Sequence, residues 1–390
     1  MISTNKIFNN ILPYLWILKY ILCILIILLN IAVTPLGFLQ EWSLTKCFLI
    51  GYVPIIIFLC LFKKIQPSKI QVFIFLAIFI IIYRIIFNPD NFTSDVLYWA
   101  LVPGIMLSTT KTWFNEKKIF IYLGILIYLI NCFVTIYEYT HNINLFYHDL
   151  SYFTRFRASG IWSHPLYSAL IHGFCMLLLI FPPIPKFFKI SLFGLGCVVL
   201  FCYDARAATA LTLIASFLLL NRHDFMKKKN IKYILIFIIF LCILIDNLAF
   251  SELGGKLFRQ EELNIKSNDP RMIAFDIFFG ASLRDIIFGV SAKAQEIMSY
   301  QHNVICIENG IFTQFFTFGI FLGSFIFIIL LRRFSAYMKK FSHRERIILL
   351  GYFFIVGATS QALSTPYLWS YVIVLYNLFT SYHSSETYKK

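Results

Sequence analysis

Long apolar runs, with connections that are basic at every second interval, dominate this chain. They fall near 12–33, 44–62, 70–87, 93–109, 119–137, 161–182, 187–203, 206–220, 231–250, 306–331, 345–361 and 365–381. A helix needs roughly 20 apolar residues to cross a bilayer. The spacing therefore predicts an all-α polytopic membrane protein with about twelve transmembrane helices. Removing 93–109, which contains Pro103, and the short 206–220 leaves ten and keeps the parity. Of the 390 residues 59% are hydrophobic and only 14% charged, against about 25% charged in soluble domains. A soluble fold of this length has no interior for so much apolar surface. Unbroken runs also exclude an outer-membrane barrel, whose strands alternate in polarity.

The net charge of +15 is a topology signal rather than a nucleic-acid groove, because its distribution alternates. Lys63, Lys64 and Lys69 follow the second run, Lys111, Lys117 and Lys118 the fourth, and Lys186 and Lys189 the sixth. Arg222, Lys227, Lys228, Lys229 and Lys232 follow the eighth; Arg332, Arg333, Lys339, Lys340, Arg344 and Arg346 follow the tenth. The turns at 34–43, 88–92 and 362–364 hold no Lys or Arg. By the positive-inside rule both termini are cytoplasmic. No signal with a cleavage site precedes the first run, which reads as a retained anchor, and 1–390 reads as one integral-membrane domain. The nine Cys are scattered, several within runs (Cys23, Cys60, Cys132, Cys175, Cys242), without C-x-x-C spacing. They read as small buried apolar residues.

Polar chemistry collects in two outer loops, 138–160 and the large 251–305, and in the turn CYDARAAT between them. Stretches 272–280 and 283–290 look amphipathic, suited to short helices on the membrane face. Arg155, Arg157, Arg206 and Arg271 stand on this side against the charge trend. A guanidinium matches phosphate oxygens two at a time, so the set suits a membrane-embedded diphosphate. The competing reading pairs these arginines with Asp149, Asp204, Asp276 or Asp285, or with lipid headgroups. His164, Ser168 and His172 recur at i, i+4 and i+8 and share a helix face, lining a cavity or bonding a neighbouring helix. Arg84, inside the third run, snorkels towards Asp90 or lines the same cavity. His302-Asn303 and Glu308-Asn309 lie within two turns if that stretch is helical. Tyr152, Trp162 and Tyr300 suit sugar stacking or interfacial anchoring. No H-E-x-x-H or carboxylate pair accompanies the histidines, so no metal site and no cofactor is expected.

Four tracts resemble the O-antigen polymerase and ligase superfamily of bacterial inner-membrane glycosyltransferases: RFRASGIWSHP, YDARAATAL, DPRMIAFDIFFGASLRDIIFGV and QHNVICIENGIFTQFFTFGIFLG. The likeness covers roughly 150–330 and rests on the order of these tracts around one large outer loop. It implies a polyprenyl-diphosphate-linked oligosaccharide donor and metal-independent, inverting glycosyl transfer at the periplasmic face. By position Arg157, Arg206 and Arg271 match the family's diphosphate-holding arginines and His302 its loop histidine, with Glu308 as orienter or substitute base. Arg155, His164 and Arg84 are secondary candidates. Two departures stand out: eight residues separate Arg271 from Gly280 where some polymerases have ten, and Tyr203-Asp204-Ala205 replaces the usual small hydroxyl residues. The resemblance implies a polymerase of O-antigen or capsule repeats, working beside a flippase and a chain-length regulator. The alternatives are a ligase that transfers polymer to lipid A-core and, from another class, a lipid-linked oligosaccharide flippase.

Overall fold

A computed structural model describes residues 67–87, 118–145, 156–162, 164–220, 270–290, 292–302, 309–360, 363 and 366–380. The runs expected at 12–33, 44–62, 93–109 and 231–250, both chain termini and residues 251–269 lie outside them. Every regular element among the described residues is helical. In chain order they are α1 (Pro67–Phe87), α2 (Lys118–His141), α3 (Pro165–Leu178), α4 (Lys186–Cys202), α5 (Arg206–Leu220), α6 (Pro270–Gly280), α7 (Leu283–Phe288), α8 (Ala292–Gln301), α9 (Gly310–Tyr337), α10 (His343–Ala358) and α11 (Pro366–Phe379). A single 3-10 turn, Gly160–Trp162, precedes α3.

Two of these helices are long and apolar enough to cross a membrane: Ile119–His141 within α2, and α9. At about 1.5 Å per residue, the 23 residues of the first reach roughly 35 Å, past a hydrocarbon core of about 30 Å. The distribution of polarity is inverted relative to a water-soluble bundle. On α2 the stripe Ile119, Tyr122, Leu126, Ile130, Phe133, Tyr137 is exposed, while Asn131, Thr135 and Glu138 are buried. On α9, Phe321, Phe325 and Ile328 face outward and Gln314 and Thr317 face in. Exposed apolar stripes this continuous mark a surface built for something other than water.

The centre of the bundle is α3, apolar on all sides as a helix buried on all sides must be. It packs against α4, α5, α10 and α11. The sixth run is shorter as a helix than the expected 161–182: Gly160–Trp162 turns separately and His164, in extended conformation, is the N-cap of α3. His164 therefore stands at the helix entrance rather than on the face shared by Ser168 and His172. At one end of the bundle the Phe181 and Phe341 rings meet tilted, centroids 4.2 Å apart, joining the α3–α4 and α9–α10 turns. At the other, Gly310 packs on the Ser360 and Gly357 carbonyls.

The α6–α8 segment has its own small core, where Ile273, Ala274, Ile277 and Phe278 of α6 meet Val290 and Phe316. Helices α6 and α7 realise the two stretches expected there; α8 adds a third that the sequence did not suggest. The tenth run is corrected more sharply. Its helix starts at Gly310, with Asn309 accepting hydrogen bonds from the Ile311 and Phe312 amides as N-cap, and it breaks at Gly319. The φ of 75° and ψ of 161° there are open essentially to glycine alone. A break strands helix carbonyls, and the α6–α8 segment supplies a partner: Val290 N–H donates to Phe316 O at 2.6 Å. From the other side Tyr83 of α1 donates to Ile287 O at 3.3 Å, and Phe87 stacks on Phe288 at 4.2 Å. The segment around α7 is thus wedged into the break and clamped by α1.

A Cβ at Gly319 would lie 2.0 Å from Ile287 O. Gly319→Ala should therefore expel the α7 wedge, at a backbone cost of about 1–3 kcal/mol. The expected readout is a lower melting temperature in detergent together with faster proteolysis within 281–302. An Ala variant with wild-type melting and protease resistance contradicts the wedge.

Candidate functional site

Helix α2 carries a buried polar stripe, Tyr128, Asn131, Thr135 and Glu138, whose 3-4-3 spacing keeps one face. Each residue grips a different element. Tyr128 OH donates to Leu192 O of α4 at 2.9 Å. Asn131 Nδ2 donates to Tyr203 OH at 2.8 Å and faces His172 Nδ1 at 3.1 Å, while its Oδ1 accepts from Ile161 N at 3.2 Å. Thr135 Oγ1 lies 2.9 Å from Tyr203 OH. His172 Nε2 is 3.3 Å from Gly196 O, and its ring stacks on Tyr128 with centroids 4.8 Å apart. These contacts assign the neutral tautomer with the proton on Nε2. Of the two readings for His172, helix-to-helix hydrogen bonding is the one the geometry carries.

Glu138, fully buried at 0% exposure, caps the stripe and was not singled out in the sequence. Its Oε2 accepts from the Ser159 and Gly160 amides at 2.8 and 2.7 Å, and Oε1 from the Leu145 amide at 3.0 Å. Ser168 Oγ donates to Ser159 O, and Ala158 N donates to Cys202 O at 3.2 Å. Gly160 is obligatory in this clamp. At φ +57° it turns over the stripe, and a Cβ there would sit 2.7 Å from both Asn131 Oδ1 and Thr135 Oγ1. Neither Glu138 nor Asn131 stands out by type. The signal available in the sequence was the stripe itself, a polar residue every three or four positions along an otherwise apolar run.

The clamp presents Arg157. Its Nε stands 3.6 Å from Asp204 Oδ2, and both side chains are nearly buried. Asp204 sits in the left-handed region, φ +49°, which Asp tolerates better than most residues. Two residues on, Arg206 opens α5, partly buried. The structure thus gathers Arg157, Asp204 and Arg206 at one end of the bundle, a cluster with net charge +1. For Arg157 the expected competing reading, an ion pair with Asp204, is realised.

The other candidates are placed separately. Arg271 lies in the first turn of α6 and Arg84 near the end of α1, with side chains outside the described residues. Arg155, Glu308 and Tyr152 lie outside them altogether. His302 follows the end of α8, exposed, its amide bonded to Met298 O and Ser299 O. His302 follows the end of α8 and Asn309 caps α9, with residues 303–308 outside the described residues. Trp162 is buried beside Tyr371, ring centroids 4.9 Å apart, and belongs to the core rather than to a sugar-stacking surface. Tyr300 is exposed on α8. Among the described residues no group of three His, Cys, Asp or Glu is placed to hold a metal ion, and Cys132, Cys175, Cys197 and Cys202 are free thiols.

Removing the Glu138 carboxylate leaves amides of the 159–160 turn without an acceptor, each worth about 1–3 kcal/mol when buried. For Glu138→Gln, hydrogen exchange at the Ser159 and Gly160 amides should accelerate at least about ten-fold, since 1.4 kcal/mol is a factor of ten. Exchange at the α10 amides should be unchanged. Unaltered protection at 159 and 160 would show that the clamp does not hold this turn.

Compared with known protein families and with characterised proteins, the chain matches no family model and no curated protein.

Proposed function

We propose that this chain is a membrane glycosyltransferase that polymerises polyprenyl-diphosphate-linked oligosaccharide repeats on the outer face of the bacterial inner membrane. The observation that carries the reading is the clamped cluster of Arg157, Asp204 and Arg206 at one end of a bundle whose polar groups are inside and apolar stripes outside. Two guanidinium groups held at the end of a lipid-facing helix bundle suit a diphosphate anchored in the membrane by its own lipid tail. Two of the four sequence tracts that resemble the polymerase and ligase superfamily, RFRASGIWSHP and YDARAATAL, supply the residues of this cluster. Twelve spans, cytoplasmic termini and an outer location for 251–305 complete the proposed topology.

In the reaction the acceptor hydroxyl oxygen bonds to the anomeric carbon of the donor sugar, and the bond from that carbon to the diphosphate oxygen breaks with inversion. The leaving lipid diphosphate carries the electron pair, and Arg157, Arg206 and Arg271 stabilise its charge. Preorganised cations at a developing charge are commonly the largest single contribution. The hydroxyl proton passes to the His302 imidazole, with Glu308 to orient it. Asp204 holds Arg157 in place before substrate arrives.

Purified protein in nanodiscs, supplied with lipid-linked repeats, provides the test. Arg206→Ala should lower turnover by about a hundred-fold or more, and Arg206→Lys should recover little, because the two-toothed fork is lost. Full turnover in the Ala variant at equal abundance removes Arg206 from the reaction. In cells, a deletion strain should show a single repeat on the lipopolysaccharide core; bare core with polymer left on the carrier indicates a ligase instead. The topology is checked by alkaline phosphatase fusions, active after Lys266 and inactive after Lys228. The reverse pattern overturns the orientation and the site with it.

A further inference from the structure

Tyr203 stands one residue before Asp204 and is fully buried, at 0% exposure. It caps the end of α4, its amide donating to Val199 O at 3.3 Å, and the Asp204 amide donates to Phe201 O at 2.9 Å. Past Asp204, with its φ of +49°, Arg206 opens α5, and the Thr209 amide donates to Ala205 O at 3.0 Å. The short turn from α4 into α5 therefore carries two of the three charges of the cluster. Residues 203–205 are not helical, so neither helix by itself fixes where Asp204 and Arg206 stand relative to Arg157.

The Tyr203 side chain supplies the hold that the turn lacks. Its hydroxyl reaches α2, where Asn131 Nδ2 donates to it at 2.8 Å and Thr135 Oγ1 lies 2.9 Å away. The order of protons here is determined. Thr135 uses its one hydroxyl proton on Asn131 O at 2.7 Å, so the Tyr203 hydroxyl is the donor to Thr135 Oγ1. The phenol thus accepts once and donates once, and all three residues are buried. Its ring meets that of His172 on α3 edge-on, centroids 5.9 Å apart. Gly160 leaves room for it, since a Cβ there would come within 2.8 Å of the Tyr203 hydroxyl oxygen. One side chain therefore touches α2, α3 and the Gly160–Trp162 turn, and the next residue pairs with Arg157.

We propose that the Tyr203 hydroxyl is a positioning group for the arginine cluster, anchoring the 203–206 turn to α2 so that Asp204 and Arg206 meet Arg157 in one geometry. Glu138 fixes the approach to Arg157 through the Ser159 and Gly160 amides; Tyr203 fixes the other two charges from the same buried face of α2. Both halves of the cluster then share one reference helix. Charges set in advance need no rearrangement when an anion arrives, which is the condition for stabilising charge as it develops. Tyr203 is enclosed and acts only through the residues that follow it. Its effect on turnover rests on the glycosyltransferase reading, whereas the anchor itself rests on the geometry alone.

The test compares full-length wild type, Tyr203→Phe, Arg206→Ala, the variant with both changes, and Tyr352→Phe, all in nanodiscs. Tyr352 is the control, an equally buried phenol whose hydroxyl lies 3.0 Å from Thr212 Oγ1, between α10 and α5 and away from the turn. Hydrogen exchange at the Asp204 and Thr209 amides reads the anchor without reference to any activity. It should quicken about ten-fold or more in Tyr203→Phe and stay at the wild-type rate in Tyr352→Phe. With a labelled lipid-linked repeat as donor, Tyr203→Phe should lower turnover about ten-fold or more, while Tyr352→Phe keeps it. Against the residual turnover of Arg206→Ala, Tyr203→Phe should remove little further, because residues that act as one unit are not additive. Wild-type exchange at 204 and 209 in Tyr203→Phe overturns the anchor. Faster exchange with full turnover overturns its role in the reaction. A loss that recurs in full beside Arg206→Ala, or that Tyr352→Phe matches, overturns positioning in favour of general loosening. Faster exchange at 204 and 209 together with an inactive wild type upholds the anchor and overturns the glycosyltransferase reading.

Discussion

Where lipid replaces water outside the bundle, a polar group within it must find its partner in the protein, and most features of this structure answer to that requirement. The α2 stripe answers it four times over. Tyr128 satisfies a carbonyl of α4, Asn131 ties α3 to the α4–α5 turn, Thr135 supports Tyr203, and Glu138 gathers three amides from the chain that leads into α3. None of these contacts is large in energy alone. Their value lies in directing otherwise featureless apolar helices into one arrangement, because a helix rotated by a fraction of a turn would strand them in hydrocarbon.

The same requirement explains how a helix is broken without loss. At Gly319 the ladder of α9 is interrupted, and the Phe316 carbonyl is met by Val290 from the α6–α8 segment. Non-helical backbone at membrane depth is tolerated where protein covers it, and here α7 and α1 provide the cover. The break thereby becomes the attachment point of the α6–α8 segment, whose helices α6 and α8 bear Arg271 and lead to His302. The wedge fixes where the segment that carries half of the proposed chemistry joins the bundle that carries the other half.

Arg157 is held against Asp204 inside a clamp built from α2, α3 and α4, so its position is set before any ligand arrives. The arrangement costs a compensating carboxylate and gains geometry.

Much of the helical outline was legible from local properties. The runs at 119–137, 187–203, 206–220 and 345–361 correspond to α2, α4, α5 and α10, and α6 and α7 fall at the two stretches with amphipathic spacing. The apolar length of a run and the alternation of basic turns are readable residue by residue, and the two turns joined by Phe181 and Phe341 carry the basic residues that the alternation assigns to one side. What the tertiary structure alone decided is which polar group meets which. His164 left the helix face it was expected to share because Gly160–Trp162 forms its own turn over Asn131 and Glu138. Arg157 found Asp204 because Ala158 is bonded to the end of α4, 44 residues further along the chain. The tenth run broke at Gly319 because α7, from an earlier part of the sequence, fills the gap. Hydropathy and helical period belong to a segment by itself, whereas the partner of a buried donor depends on which helices become neighbours, and that is a property of the assembled bundle.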